Sequence, residues 1–212
     1  LDGDGVVEFA VARATEDDDD ALNGHWEIEI YSTTGPANYA LEWSTRISGV
    51  TTTGNGLSFG DVDGDGLADL TACLLPDLYV FRSDSPNAYR PIWHSPAALT
   101  HRPVIADLDG NGRPELLYNR DGAVRIVERV APPANVAAPE LLSARPLERD
   151  RVELLWMAAP GASTYGLLRG SGTDSLAIFV DGLTGTTYLD SGLVEDTTYR
   201  YAVAARLGDG SE

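Results

Sequence analysis

The chain has no lysine and no glutamine, and all 15 of its basic residues are arginine. Against them stand 33 acidic residues, for a formal net charge of −18. A chain so short of positive charge repels phosphate backbones and anionic lipid, which argues against nucleic acid or an acidic membrane as partner. The absence of lysine reads as genome base composition rather than mechanism. A single cysteine, Cys73, leaves no intrachain disulfide to form. Its apolar, strand-like surroundings predict a buried, inert thiol. No apolar run approaches the roughly 20 residues of a membrane-spanning helix, so membrane insertion by that route is not expected. Only three histidines occur, His25, His94 and His101, and they share no motif spacing. H-E-x-x-H, G-x-S-x-G and phosphate-binding loops are all missing. No nucleophile is paired with a base, so the chain reads as a non-enzyme.

What is present is one nine-residue acidic loop, three times over. It reads DVDGDGLAD at 61–69, DLDGNGRPE at 107–115 and LDGDGVVE at 1–8, where the first position falls before Leu1. Asp61, Asp63, Asp65 and Asp69 alternate as oxygen donors in one copy, and Asp107, Asp109, Asn111 and Glu115 in the next. So many carboxylates in one tight loop repel each other unless a cation neutralises them. Hard oxygen donors at positions one, three, five and nine, with a carbonyl at seven, suit Ca²⁺. The glycines at positions four and six (Gly64 and Gly66, Gly110 and Gly112) supply the positive φ that a loop wrapped around an ion requires.

EF-hand and dockerin loops also open D-x-D-x-D-G, but they need a carboxylate at position twelve and helices on both sides. Position twelve is Ala72 in one copy and Tyr118 in the other. The flanks, Leu57–Phe59 and Leu70–Leu75, then Val104–Ala106 and Leu116–Tyr118, are strand-like. Strand, D-x-D-G-[DN]-G-x-x-[DE], strand resembles the FG-GAP or VCBS repeat of integrin-type β-propellers, over residues 1–130. By that resemblance the ligands are Asp61, Asp63, Asp65, Asp69 and the Leu67 carbonyl. In the next copy they are Asp107, Asp109, Asn111, Glu115 and the Arg113 carbonyl. The first copy retains Asp2, Asp4, Glu8 and the Val6 carbonyl, an incomplete site.

The repeat extends beyond the loops. Apolar runs recur at Ile28–Tyr31, Leu78–Phe81 and Val124–Val127, and Pro36-x-x-Tyr39-x-x-x-Trp43 is matched by Pro86-x-x-Tyr89-x-x-x-Trp93. Repetition at one position makes Trp43 and Trp93 packing residues rather than sugar-stacking ones. His94 stands where the earlier repeat has Ser44, which predicts a strand-edge or surface residue. The acidic loops are 46 residues apart from second to third and 61 from first to second. Insertions near Arg13–His25, which holds the solvated acidic run Glu16–Asp20, and near Thr51–Gly56 account for the difference. The expected fold class is therefore all-β: a partial β-propeller of about two and a half four-stranded blades, the first without its inner strand and the third without its outer one. A closed propeller takes at least four blades. The expectation is that further blades come from missing sequence or from another chain.

At 131–138 a Pro/Ala-rich linker breaks the pattern. Beyond it, 139–212 reads as a β-sandwich with strands at Val152–Trp156, Tyr165–Arg169, Ala177–Val180, Thr186–Leu189 and Tyr199–Ala205. Trp156, Tyr165 and Leu193-x-x-x-Thr197-x-Tyr199 resemble a fibronectin type III domain, with Glu195 in place of that corner's usual proline. The resemblance implies that the Tyr199 hydroxyl bonds back to nearby backbone. The domain is expected to be incomplete at its C-terminus, since it stops at the hairpin before a final strand.

Together these readings predict a calcium-binding segment of a secreted or cell-surface protein, bacterial in origin, since loops of this type need extracellular calcium. Its expected role is adhesion, binding a glycan or protein ligand through the two insertions. Two alternatives stand beside it: the non-catalytic part of an extracellular polysaccharide-degrading enzyme, and a structural segment of a surface layer or filament.

Overall fold

A computed structural model describes residues 5–15, 25–48, 55–85, 88–96, 98, 102–128, 138–148 and 150–208. Asp2, Asp4, His101, most of both insertions (16–24 and 51–54), and all of the 131–138 linker but residue 138 lie outside these. Every long element among the described residues is a β-strand, and none is a helix. The chain separates into two compact units, 1–131 and 132–212.

The first unit holds three antiparallel sheets. One is β1 (Glu8–Thr15), β2 (His25–Gly35) and β3 (Asn38–Ser48). The second is β4 (Asn55–Gly60), β5 (Asp69–Leu74), β6 (Asp77–Ser85) and β7 (Ala88–Ser95). The third is β8 (Val104–Ala106), β9 (Glu115–Arg120) and β10 (Ala123–Glu128). The sheets share one register. Phe9 pairs with Tyr31, Leu70 with Phe81 and Leu116 with Val127, in each case one residue beyond position nine of the acidic loop. Asp121 and Gly122, both at positive φ (55° and 72°), close the β9–β10 hairpin as a two-residue turn that matches the strand twist.

Sheets in this unit pack face to face. Paired residues on neighbouring strands share a face, so Ile28, Ile30 and Trp43 point one way from the first sheet. Trp43 meets Phe81 edge-on at 5.6 Å and Tyr89 at 5.3 Å, and Trp93 meets Tyr118 at 5.6 Å. Both tryptophans therefore sit between sheets. Cys73, Leu78 and Val80 join Leu116 and Tyr118 in one core cluster. Each such aliphatic side chain contributes about 1.5–3 kcal/mol when fully buried. The leading strands approach closely at Gly60, where a Cβ would lie 2.9 Å from Ile105. His94 was expected at a strand edge or at the surface, and only the first of these holds. It lies on the outer strand β7, but its ring stacks on Tyr79 at 4.8 Å, Nε2 is 3.4 Å from an Asp77 oxygen, and only 11% of the side chain is exposed. Its register partner is Tyr79, a contact across strands that spacing along the chain does not reveal.

The second unit contains β11 (Leu141–Glu148), β12 (Arg151–Trp156), β13 (Ala162–Ser171), β14 (Ala177–Leu183), β15 (Thr187–Ser191) and β16 (Tyr199–Leu207). They form two three-stranded sheets, β11-β12-β15 and β14-β13-β16. Leu154 and Trp156 from one sheet share a core with Tyr165 and Leu167 from the other. Strand β11 is the strand ahead of Trp156's that the fibronectin type III resemblance implies, though no residues were assigned to it from the sequence. It carries Pro146, pairs only with β12 and breaks register twice, which is where proline is tolerated in a sheet. The Tyr199 hydroxyl accepts the Val194 backbone N–H at 2.9 Å, five residues upstream, as expected. Buried Asp190 ties the two sheets together. It accepts Arg169 Nη1 at 2.8 and 2.9 Å and the Tyr201 hydroxyl at 2.9 Å. Burial, and then this carboxylate, push the Tyr201 hydroxyl well above its ordinary range.

Candidate metal centre

Loop 61–69 joins β4 to β5, and loop 107–115 joins β8 to β9. Gly64, Gly66, Gly110 and Gly112 all hold positive φ, between 74° and 88°. Nothing lies within 4 Å of a Cβ added at any of them, so backbone conformation rather than space requires glycine there.

The positive φ values turn successive N–H groups inward onto the first aspartate. Asp61 Oδ1 accepts from Gly64 at 2.6 Å and Asp65 at 3.1 Å, and its Oδ2 accepts from Gly66 at 2.9 Å. Asp107 repeats this with Gly110 at 2.8 Å, Asn111 at 3.1 Å and Gly112 at 2.9 Å. Asp63 and Asp109 each accept the position-five N–H, at 3.2 and 3.0 Å. Asp65 and Asn111 each accept the position-seven N–H, from Leu67 at 2.9 Å and Arg113 at 2.7 Å. Two loops of different sequence thus fold bond for bond alike.

One carboxylate oxygen each from Asp61, Asp63 and Asp65 lies within 4.8 Å of the others, as do oxygens of Asp107, Asp109 and Glu115. Oxygens on one ion at about 2.3–2.6 Å can stand up to about 5 Å apart. The donors are all hard oxygen, so each group could hold a metal ion. Of the first loop, Val6 and Glu8 are described. Gly5 has φ 86°, as its counterparts do, and Glu8 opens β1 opposite Ser32.

The ninth position does different work in the two complete loops. Glu115 belongs to its acidic group and also accepts the Leu108 N–H at 2.7 Å. Asp69 stands outside the 61–65 group and is fully buried. Its Oδ2 accepts the Val62 N–H at 2.9 Å, and its Oδ1 accepts the Ser83 N–H at 3.0 Å. It clamps the loop to β6. Burial pushes its pKa up to about 6 against those two donors, helped by the charges of Asp63 and Asp65.

Two residues at the sites were not singled out in the sequence. Arg82 and Glu128 each lie 21 residues past the first loop aspartate, on the third strand of their sheets. Arg82 Nη2 is 2.8 Å from Asp65 and its Nε is 3.1 Å from Asp63. Glu128 faces its loop with opposite sign. It accepts Asn111 Nδ2 at 3.1 Å and lies 3.8 Å from Arg113 Nη1. Only the shared offset in the repeat signals them.

No family profile matches this chain, and no curated protein does. Among solved structures it is similar to the crystal structure of domains A168–A170 from titin. The identity there is 11%, over 98% of this chain and 85% of that one, with a TM-score of 0.29. Nothing functional is carried over from that likeness.

The opposite charges of Arg82 and Glu128 predict unequal loops. An arginine paired with Asp63 and Asp65 competes with a cation for them, and a partly exposed pair of this kind is worth about 1 kcal/mol. Arg82→Ala should therefore tighten calcium binding at 61–69 by roughly three- to tenfold. Glu128→Gln should weaken binding at 107–115. Site-resolved titration, followed by the amide resonances of Gly66 and Gly112, reads both.

Proposed function

We propose that this chain is a calcium-binding segment of a secreted or cell-surface protein that holds a glycan or protein ligand. In this reading, residues 1–130 are FG-GAP/VCBS-type propeller blades and 139–212 a fibronectin type III-like sandwich. The observation that carries the proposal is the matching set of backbone N–H bonds onto positions one, three and five of loops 61–69 and 107–115, each loop gathering three carboxylates close enough to hold one ion. The third loop, with Asp2, Asp4, Val6 and Glu8, is a partial member of the set. Calcium supplies positive charge that fixes the strand-to-strand turn. The chain's own residues supply the donors and the rigid sheets that carry neighbouring loops.

The chain itself is proposed to bind without catalysing. Asp61, Asp63, Asp65, Asp107 and Asp109 are engaged by backbone N–H groups, Cys73 is buried, and His94 is stacked on Tyr79. A panel of acidic and neutral polysaccharides, presented to the 212-residue chain with calcium and with EDTA, tests this. Retention of at least one glycan without cleavage, lost on chelation, is the expected result. Release of shortened products by the pure chain would refute it.

A further inference from the structure

The packing rule of the first unit leaves two of its own surfaces open. Ile28 and Ile30 in the first sheet correspond by register to Leu78 and Val80 in the second and to Val124 and Ile126 in the third. On the opposite face, Phe9 and Val11 correspond to Leu70 and Ala72, then to Leu116 and Tyr118. Inside the unit, the first kind of face always packs on the second kind. Trp43, beside Ile30, reaches Phe81, and Leu78 and Val80 share a core with Leu116 and Tyr118.

The same positions are open at the two ends. Ile28, Ile30 and Leu78 are 0% exposed and Val80 1%, whereas Val124 is 68% and Ile126 59% exposed. Leu70 and Ala72 are 0% exposed, whereas Phe9 is 38% and Val11 39%. Val104, 55% exposed, extends the open face of the third sheet, and Tyr39 and Leu41 extend that of the first. Apolar surface gathered on one sheet face marks an interaction site.

We propose that these two faces dock on each other between copies of this chain, β8–β10 of one molecule against β1–β3 of the next. The occupant is a second copy because the two open faces are the two halves of an interface the chain already makes twice internally. Each molecule carries one of each half. Such a contact is heterologous, so it closes into a ring or runs on as a filament. On the propeller reading proposed above, two copies bring six sheets together, within the four to eight of closed propellers, which favours a closed pair over a filament. The proposal does not depend on metal in the loops.

Sedimentation velocity of the full chain in calcium buffer, from micromolar to several hundred micromolar, tests it. Concentration-dependent association is expected, and a wild-type chain that stays monomeric throughout would overturn the proposal. Ile126→Glu and Leu41→Glu should each abolish association while the monomer keeps its circular dichroism spectrum and cooperative unfolding, since both side chains are more than half exposed. Mixing the two variants should restore a one-to-one pair, because each brings one intact face. Self-association of either variant alone, or no pairing in the mixture, would also overturn it.

Discussion

Stripping calcium should lower the melting temperature of the 1–131 unit and leave the 132–212 unit where it was. An ion that binds only the folded loop stabilises by mass action, about 2.7 kcal/mol per site at a free concentration 100 times Kd. Two sites in a unit of this size correspond to a shift of about 20 °C. The sequence of the second unit carries no such loop. Differential scanning calorimetry with calcium and with EDTA should resolve two transitions, only one of them calcium-dependent. Asp61→Ala should reproduce part of the loss, because it removes both a donor and the acceptor of three backbone N–H groups.

Asp69→Ala should destabilise the same unit by about 2–5 kcal/mol even without calcium, measured by urea unfolding in EDTA. The substitution leaves the buried N–H groups of Val62 and Ser83 without their acceptor, at roughly 1–3 kcal/mol each. The pH dependence separates this role from metal binding. In the folded chain Asp69 holds its proton up to about pH 6, well above the ordinary carboxylate range. Its contribution in the metal-free protein is therefore full below the ordinary carboxylate pKa and lost as pH rises through about 6. That part of the slope should be missing in Asp69→Ala. A variant as stable as wild type, with the same slope between pH 4 and 7, would contradict the clamp.

The loops were legible in the sequence because their information is local. Alternating oxygen donors and two glycines define the turn, and Gly64, Gly66, Gly110 and Gly112 adopt the φ values that spacing requires. Most strands were legible for a similar reason, as apolar runs bounded by turn residues. The residues of β11 were not, because Pro146 and its irregular pairing hide a strand at a sheet edge. Contacts that depend on register were hidden too. His94 is covered by Tyr79 from the neighbouring strand, and Arg82 reaches Asp63 and Asp65 from across the sheet. Asp69 and Glu115 occupy the same motif position, yet the shorter side chain is taken up by Val62 and Ser83 while the longer one joins its acidic group. Spacing alone treats them as equal.

Calorimetric titration of calcium into the EDTA-stripped 212-residue chain tests the central claim most directly. The account predicts two binding events at the 61–69 and 107–115 loops, with 107–115 filled first because Glu128 adds negative charge where Arg82 competes in the other. Asp61→Ala should remove one event and Asp107→Ala the other. A chain that takes up no calcium at millimolar concentration, or whose calcium binding survives both substitutions together, would contradict it.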